Sequence, residues 1–298
     1  MKIKILFPVI ALFVVLFSCS SKKNDSRLNE WMSNTKKVKV LSTTSQVGDL
    51  VAFIGGDKVD SLVLIPADLD PHSYELVKGD GEKLTRAQLI FSNGLGLEHG
   101  ASLSSLLRTS NKAISLGDVI RKEAPNLVLE KNGVIDPHLW MDLAIWSIGT
   151  YEIEKQLSRI DPASSSYYSE RGEILRGMMR EKDLELRILL QSIPEKKRFL
   201  VTSHDAFRYF AKAYLAVPGE KDWEARFTAP EGLAPDGQLS PVDLQEVIHF
   251  LQKHQISVLF PESNLSRGVI AKIVEASQEM GHPVRLCKLP LYGDSTSG

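Results

Sequence analysis

Between Pro162 and Pro194 the chain carries no proline, and its only glycines there are Gly172 and Gly177. A stretch so free of chain breakers reads as one helix over 161–193, opened by Asp161 as N-cap and Pro162 at the first helical position. Ile174, Leu175, Met178, Met179, Leu184, Leu186, Ile188 and Leu189 recur along it with helical spacing. At a rise of about 1.5 Å per residue, roughly 30 residues span roughly 45 Å. That is longer than an ordinary domain helix and long enough to join two lobes.

On either side of this segment, short β-like runs alternate with helical patterns. Before it, Val38–Leu41, Ser61–Ile65, Gln88–Phe91 and Ala113–Leu116 read as strands, with a helix over Gln46–Ile54 that stops at Gly55-Gly56. After it, strands are expected at Arg198–Thr202, Ile256–Phe260 and Pro283–Lys288, and helices at Asp205–Ala213, Pro241–Lys253 and Ser266–Met280. Pro218–Leu239 reads as a long polar loop. Alternating βα units imply parallel sheets covered by helices. The expected fold is therefore α/β with two lobes, each a mostly parallel sheet flanked by helices, joined by one long interlobe helix. The lobes are expected at 37–160 and 194–298.

The N-terminus points to export. Lys2 and Lys4 precede an almost wholly apolar run from Ile5 to Phe17, too short for a comfortable membrane span of about 20 residues. Leu16-Phe17-Ser18-Cys19 resembles a bacterial lipobox, which implies cleavage after residue 18 and lipidation of Cys19. Residues 19–36 then form a polar, flexible tether. Removing residues 1–18 takes away two lysines and no acid, which moves the formal charge from −1 to −3. A chain so close to neutral offers no electrostatic footprint for nucleic acid. Cys287 is the only other cysteine and reads as a buried structural thiol, so the exported chain must be stable without a disulfide framework.

Three of the seven histidines share a context. His72 lies in Asp-Pro-His-Ser-Tyr-Glu after a strand, His138 in Asp-Pro-His-Leu-Trp-Met-Asp before a helix, and His204 in Thr-Ser-His-Asp-Ala-Phe at a strand-to-helix turn. Ligands of open α/β sheets bind at the carboxyl ends of strands, and at least two of these histidines map there. Imidazole suits zinc, iron, nickel or copper, and an added carboxylate admits manganese. The spacing matches no local metal motif. His99, His249, His254 and His282 read as non-ligands.

These segments resemble the signatures of the metal-binding lipoproteins of ABC transporters, the solute-binding proteins of the TroA and zinc-uptake type. Asn93–Glu98 and Pro261–Asn264 are similar to family segments too, and the resemblance runs from about Val38 to Ser295. Ala229-Pro230-Glu231-Gly232-Leu233 resembles the treponemal and chlamydial branch. The resemblance implies a fourth ligand, a carboxylate near the C-terminus, and the matching position is Asp294. Glu262 is the substitute ligand, or an acceptor behind the histidines. Asp142 and Asp205 are expected to accept from ring N–H groups or to cap helices. Two features depart from the pattern. Leu127–Asp136 lacks the histidine-rich loop of some zinc-specific relatives, and the chain stops at Gly298, where relatives continue with another helix.

The resemblance implies a monomer anchored by lipid on the periplasmic side of a bacterial membrane. It would carry one divalent transition-metal ion, zinc, manganese or iron, as cargo for an ABC transporter permease, and would not be an enzyme. A zinc-dependent hydrolase, a surface adhesin with a structural metal and a receptor for a metal chelate are the competing readings.

Overall fold

The structure is a computed structural model that describes residues 28–33, 36–230, 240–263 and 267–296. The expected leader, Cys19, the first part of the tether and residues 231–233 of the branch-like segment lie outside the described residues. Residues 28–32 form a short helical turn within the segment expected to be a flexible tether. They belong to a unit of their own, Met1–Lys36, and all that follows concerns Lys37–Gly298.

Four strands build the N-terminal sheet: β1 (Val38–Ser42), β2 (Val59–Val63), β3 (Leu89–Ser92) and β4 (Ala113–Ser115). They are parallel, in the order β2-β1-β3-β4. β1 and β3 are buried along their whole length, as strands of a covered parallel sheet are, and Lys39 within β1 lies 3.6 Å from Asp60 of β2. The direction of strand succession reverses between β1 and β3, which opens a crevice at their carboxyl ends.

Helices α1 (Ser45–Gly55), α2 (Asp80–Arg86), α3 (Ala101–Thr109) and α4 (Leu116–Glu123) connect the sheet, and α5 (Leu143–Ile160) packs against α1 and α4. Between α4 and α5 stands a hairpin that the sequence reading passed over, β5 (Glu130–Lys131) and β6 (Val134–Ile135). Its turn is Asn132-Gly133, at φ 54° and 78°, the mirror-image turn conformation that asparagine and glycine adopt at least cost.

The long helix is present, with its start corrected. Pro162–Ser164 forms a 3-10 turn, and helix α6 runs over Ser165–Gln191, 27 residues or about 40 Å. Asp161 does not cap it; its Oδ2 accepts from the Tyr168 hydroxyl at 2.8 Å. The buried face is Tyr168, Gly172, Arg176 and Met179, whereas Ile174, Met178, Leu184, Ile188 and Leu189 are exposed. Arg176 is tolerated in the interior because Glu154 and Thr150 of α5 accept from it. At its other end α6 holds the second lobe. Arg187 donates to Ala213 O at 2.7 Å, and Gln191 Nε2 to Tyr214 O and Ala216 O at 2.9 and 2.8 Å.

The C-terminal lobe has its own core of Val201, Val247, Leu251, Leu259, Ile270, Ile273 and Val284. Its strands are two-residue pairs: β7 (Leu200–Val201) with β8 (Phe227–Thr228), and β9 (Val258–Leu259) with β10 (Arg285–Leu286), all parallel. β8 is a correction, since it lies in the segment read as loop. The helix expected over Asp205–Ala213 is a single turn, α7 (Arg208–Phe210), that widens into a π-helix at Ala211–Leu215. Helices α8 (Pro241–Lys253) and α9 (Arg267–Glu279) stand close to where the pattern put them.

Candidate metal centre

Each of the four expected donors sits just beyond an element that fixes it. After β2 the chain turns at Asp70-Pro71-His72, where Asp70 Oδ1 accepts from His72 N at 2.9 Å and Oδ2 from the Ser73 hydroxyl at 2.7 Å. Asp136-Pro137-His138 repeats the device, with Asp136 Oδ1 accepting from His138 N at 3.0 Å. Here the same oxygen also accepts from His138 Nδ1 at 2.7 Å. Asn93 Nδ2 donates to Pro137 O and Tyr209 OH to Asp136 O, each at 3.0 Å. His204 follows β7, and Glu262 follows β9.

Glu262 locks the C-terminal side. Its Oε1 accepts from Ser203 N, Ser203 Oγ and His204 N at 3.0, 2.6 and 3.1 Å, and its Oε2 lies 2.7 Å from His204 Nδ1. A parallel bridge joins Glu262 to Leu291 and so carries Gly293-Asp294 into the crevice. Gly293 must be glycine, because a Cβ there would lie 2.6 Å from Glu262 Oε2 and 3.2 Å from His204 Cε1. Its carbonyl accepts from Trp140 Nε1 at 2.9 Å, which ties the last segment to the segment carrying His138.

The result is a closed cluster. Donor atoms of His72, His138, His204 and Asp294 all lie within 4.8 Å of one another, and all four residues are buried. Asp294 Oδ2 is 3.0 Å from His204 Nε2 and 3.6 Å from His72 Nε2, and Oδ1 is 3.4 Å from His138 Nε2. Both Asp294 oxygens and His204 Nε2 lack a hydrogen bond of good geometry. Buried polar atoms left in this state carry a large desolvation penalty, which a cation at their centre removes. Three imidazole nitrogens and a carboxylate form a borderline donor set that fits zinc, manganese or iron.

The electrostatics favour a cation. Burial works against ionisation of Asp294, but the adjoining His204 charge and the close approach of the His204 and His72 ring nitrogens hold its carboxyl well below the usual range. Burial likewise works against protonation of His204, and Asp294 and Glu262 overcome it, raising its pKa well above the ordinary imidazole value. For His72 burial wins and the pKa falls, which favours the neutral, metal-binding form.

The remaining expected residues stand elsewhere. Asp142 caps α5, accepting from Ala144 N and Ile145 N at 2.9 and 3.3 Å. Asp205 caps no helix; it is buried and paired with Lys131 Nζ at 2.7 Å. The carboxylate that holds the His138 ring is Asp136, which the sequence reading did not single out, although the twofold Asp-Pro-His pattern marked it. Arg208 approaches the far oxygen of Asp136 at 3.7 Å and pairs with Glu224 at 2.5 Å.

The family model described as "ZnuA: Zinc-uptake complex component A periplasmic" matches residues 40–297. The chain belongs to the ZnuA family. Among ZnuA-like relatives, the manganese ABC transporter substrate-binding lipoprotein PsaA of Streptococcus mitis is 33% identical over 274 residues, 89% of this chain and 82% of that protein. Fe(III)-bound YtgA from Chlamydia trachomatis superposes with a TM-score of 0.84 at 37% identity, over 88% of this chain and 92% of that one. The periplasmic zinc-binding protein TroA from Treponema pallidum does so with a TM-score of 0.79 at 28% identity, over 88% and 91%. The expected resemblance to the TroA and zinc-uptake type is therefore correct, and the ZnuA fold agrees with the two-lobed α/β architecture. ZnuA relatives thus bear three different metals in their names, zinc, manganese and iron.

Proposed function

We propose that this chain captures one transition-metal ion, zinc, manganese or iron, and hands it to an ABC permease for import. The observation that carries this reading is the buried convergence of His72, His138, His204 and Asp294 from segments of both lobes. Four protein donors around one point leave no coordination position for a reacting substrate, which favours cargo over a catalytic zinc. Glu262 and Asp136 serve this site by orienting imidazoles rather than by ligating.

The remainder of the reading follows from the family and the N-terminal sequence. A leader over 1–18 directs export, Cys19 takes the lipid anchor, 19–36 is the tether, and the lobes at 37–160 and 194–298 are bridged by 161–193. The chain works as a monomer on the periplasmic face of a bacterial membrane.

The test is elemental analysis of protein purified without chelator, followed by competition among zinc, manganese, iron(II) and iron(III). One ion per chain is expected, and His138→Ala should lose tight binding of all of them. Unchanged affinity in that variant would refute the site.

A further inference from the structure

More buried negative charge surrounds the four donors than Asp294 alone supplies. Glu262 Oε2 lies 2.7 Å from His204 Nδ1, and Asp136 Oδ1 lies 2.7 Å from His138 Nδ1. Asp294, Glu262 and Asp136 are 4%, 4% and 0% exposed. Other acids nearby are neutralised, solvated or held elsewhere. Asp205 pairs with Lys131 Nζ at 2.7 Å, and Asp70 is half-buried and accepts from the His72 backbone. Glu98 is held by Thr43, Asn93 N and Gly94 N, and burial pushes its pKa up, toward the neutral form.

Against these three carboxylates stands a buried guanidinium. Arg208 Nη1 is 3.7 Å from Asp136 Oδ2, and Arg208 is 4% exposed. It lies on α7, just beyond His204, and faces the acid that holds His138, so one charge reaches both ligand segments. The next residue fixes its place. Tyr209 OH accepts from Leu129 N at 2.8 Å and donates to Asp136 O at 3.0 Å, which seats α7 against Asp136. The Trp223 ring lies 5.6 Å from the guanidinium carbon, and Glu224, an exposed carboxylate, takes Nη2. Water and salt screen a surface charge such as Glu224 far more than a buried one. A cation in the interior is costly unless opposite charge stands around it. Three buried carboxylates and one buried guanidinium leave a net charge of −2, which a divalent ion balances and a trivalent ion exceeds.

We propose that Arg208 is a specificity-determining residue, whose charge sets the site for a divalent rather than a trivalent ion. This rests on the reading of the buried four as the cargo site. A unit charge about 10 Å from an ion, at an effective dielectric constant of about 20, changes binding by roughly tenfold for each unit of the ion's charge. Arg208 therefore disfavours a third charge on the ion by about that factor.

The test compares zinc(II) with gallium(III), which share a filled d shell and undergo no redox chemistry here. Full-length protein is titrated with each ion from a chelator buffer at one fixed pH, and the readout is the ratio of the gallium to the zinc association constant. Arg208→Gln should raise that ratio by roughly tenfold. Arg208→Met removes the same charge while keeping an aliphatic stem, and should do likewise. Arg208→Lys keeps a cation and should hold the ratio near the wild-type value. Glu224→Gln breaks the other pair of Arg208 but spares its charge, and should also leave the ratio near wild type. Circular dichroism establishes which variants are folded. A folded Arg208→Gln or Arg208→Met protein with the wild-type ratio would overturn the proposal, even if both ions bound more weakly. So would an equal rise in Glu224→Gln, since Arg208 would then act by anchoring the chain. Wild-type protein that retained neither ion in equilibrium dialysis would refute the cargo site itself, a result separate from any change in the ratio.

Discussion

Substituting Glu262 by glutamine tests whether the carboxylate behind His204 sets metal affinity. The side chain keeps its shape, so an amide oxygen can still accept from Ser203 N, Ser203 Oγ and His204 N. What changes is the atom facing His204 Nδ1 at 2.7 Å, which becomes an NH2 group. Two donors cannot face each other, so the ring proton moves to Nε2, the nitrogen aimed at the metal. A contact to a charged group is worth about 1.5–3 kcal/mol, which corresponds to roughly 10- to 150-fold weaker binding. That range agrees with the loss of about 10- to 100-fold seen when carboxylates behind metal-bound histidines are replaced. Chelator competition in buffered metal gives the affinity, and circular dichroism establishes that the variant is folded. A folded Glu262→Gln protein with wild-type affinity would refute the claim that this carboxylate orients His204.

Asp142→Ala should cost about 1 kcal/mol of stability through the lost cap of α5, measured by denaturant unfolding, with metal affinity unchanged. Trp140→Phe removes the donor to Gly293 O, and release of the ion into chelator should accelerate by roughly 2- to 12-fold, the equivalent of a neutral hydrogen bond of about 0.5–1.5 kcal/mol. Against its burial, Asp294 and Glu262 raise the His204 pKa, so a proton competes with the metal for this ring. Affinity should then rise by up to about tenfold per pH unit between roughly pH 6 and 8, and a flat profile would contradict that competition.

The N-terminal lobe was legible because β1 and β3 are short, mostly apolar runs bounded by turn residues, a signal that local sequence carries. The C-terminal strands were harder to see. Phe227–Thr228 is a strand by virtue of its parallel pairing with Leu200–Val201, a tertiary fact that two residues cannot announce. On the long helix, length was readable and orientation was not. Its core face uses Gly172 and Arg176, a small residue at a close approach and a paired charge, while five apolar residues face outward. The three histidines stood out through their neighbouring motifs, and family likeness added Asp294. Glu262 stood out through its family-like segment and Asp136 only through the repeated Asp-Pro-His pattern, and the role of each as a partner of an imidazole depended on what it touches. Likewise the roles of Asp142 and Asp205, helix cap and partner of Lys131, depended on which group each carboxylate meets in the folded chain.

The depth of the site has a consequence for the protein that receives the cargo. With all four donors almost wholly sealed from solvent, a docking partner cannot touch the ion directly. Contact between the two proteins then distinguishes loaded from empty molecules by how the surface of the carrier is arranged. The Trp140–Gly293 link and the Glu262–Leu291 bridge connect the ion's ligands to the backbone of both lobes. Those connections are the route by which occupancy becomes shape, so a variant that cut them while sparing the ligands would hold its ion yet present it as an empty carrier does.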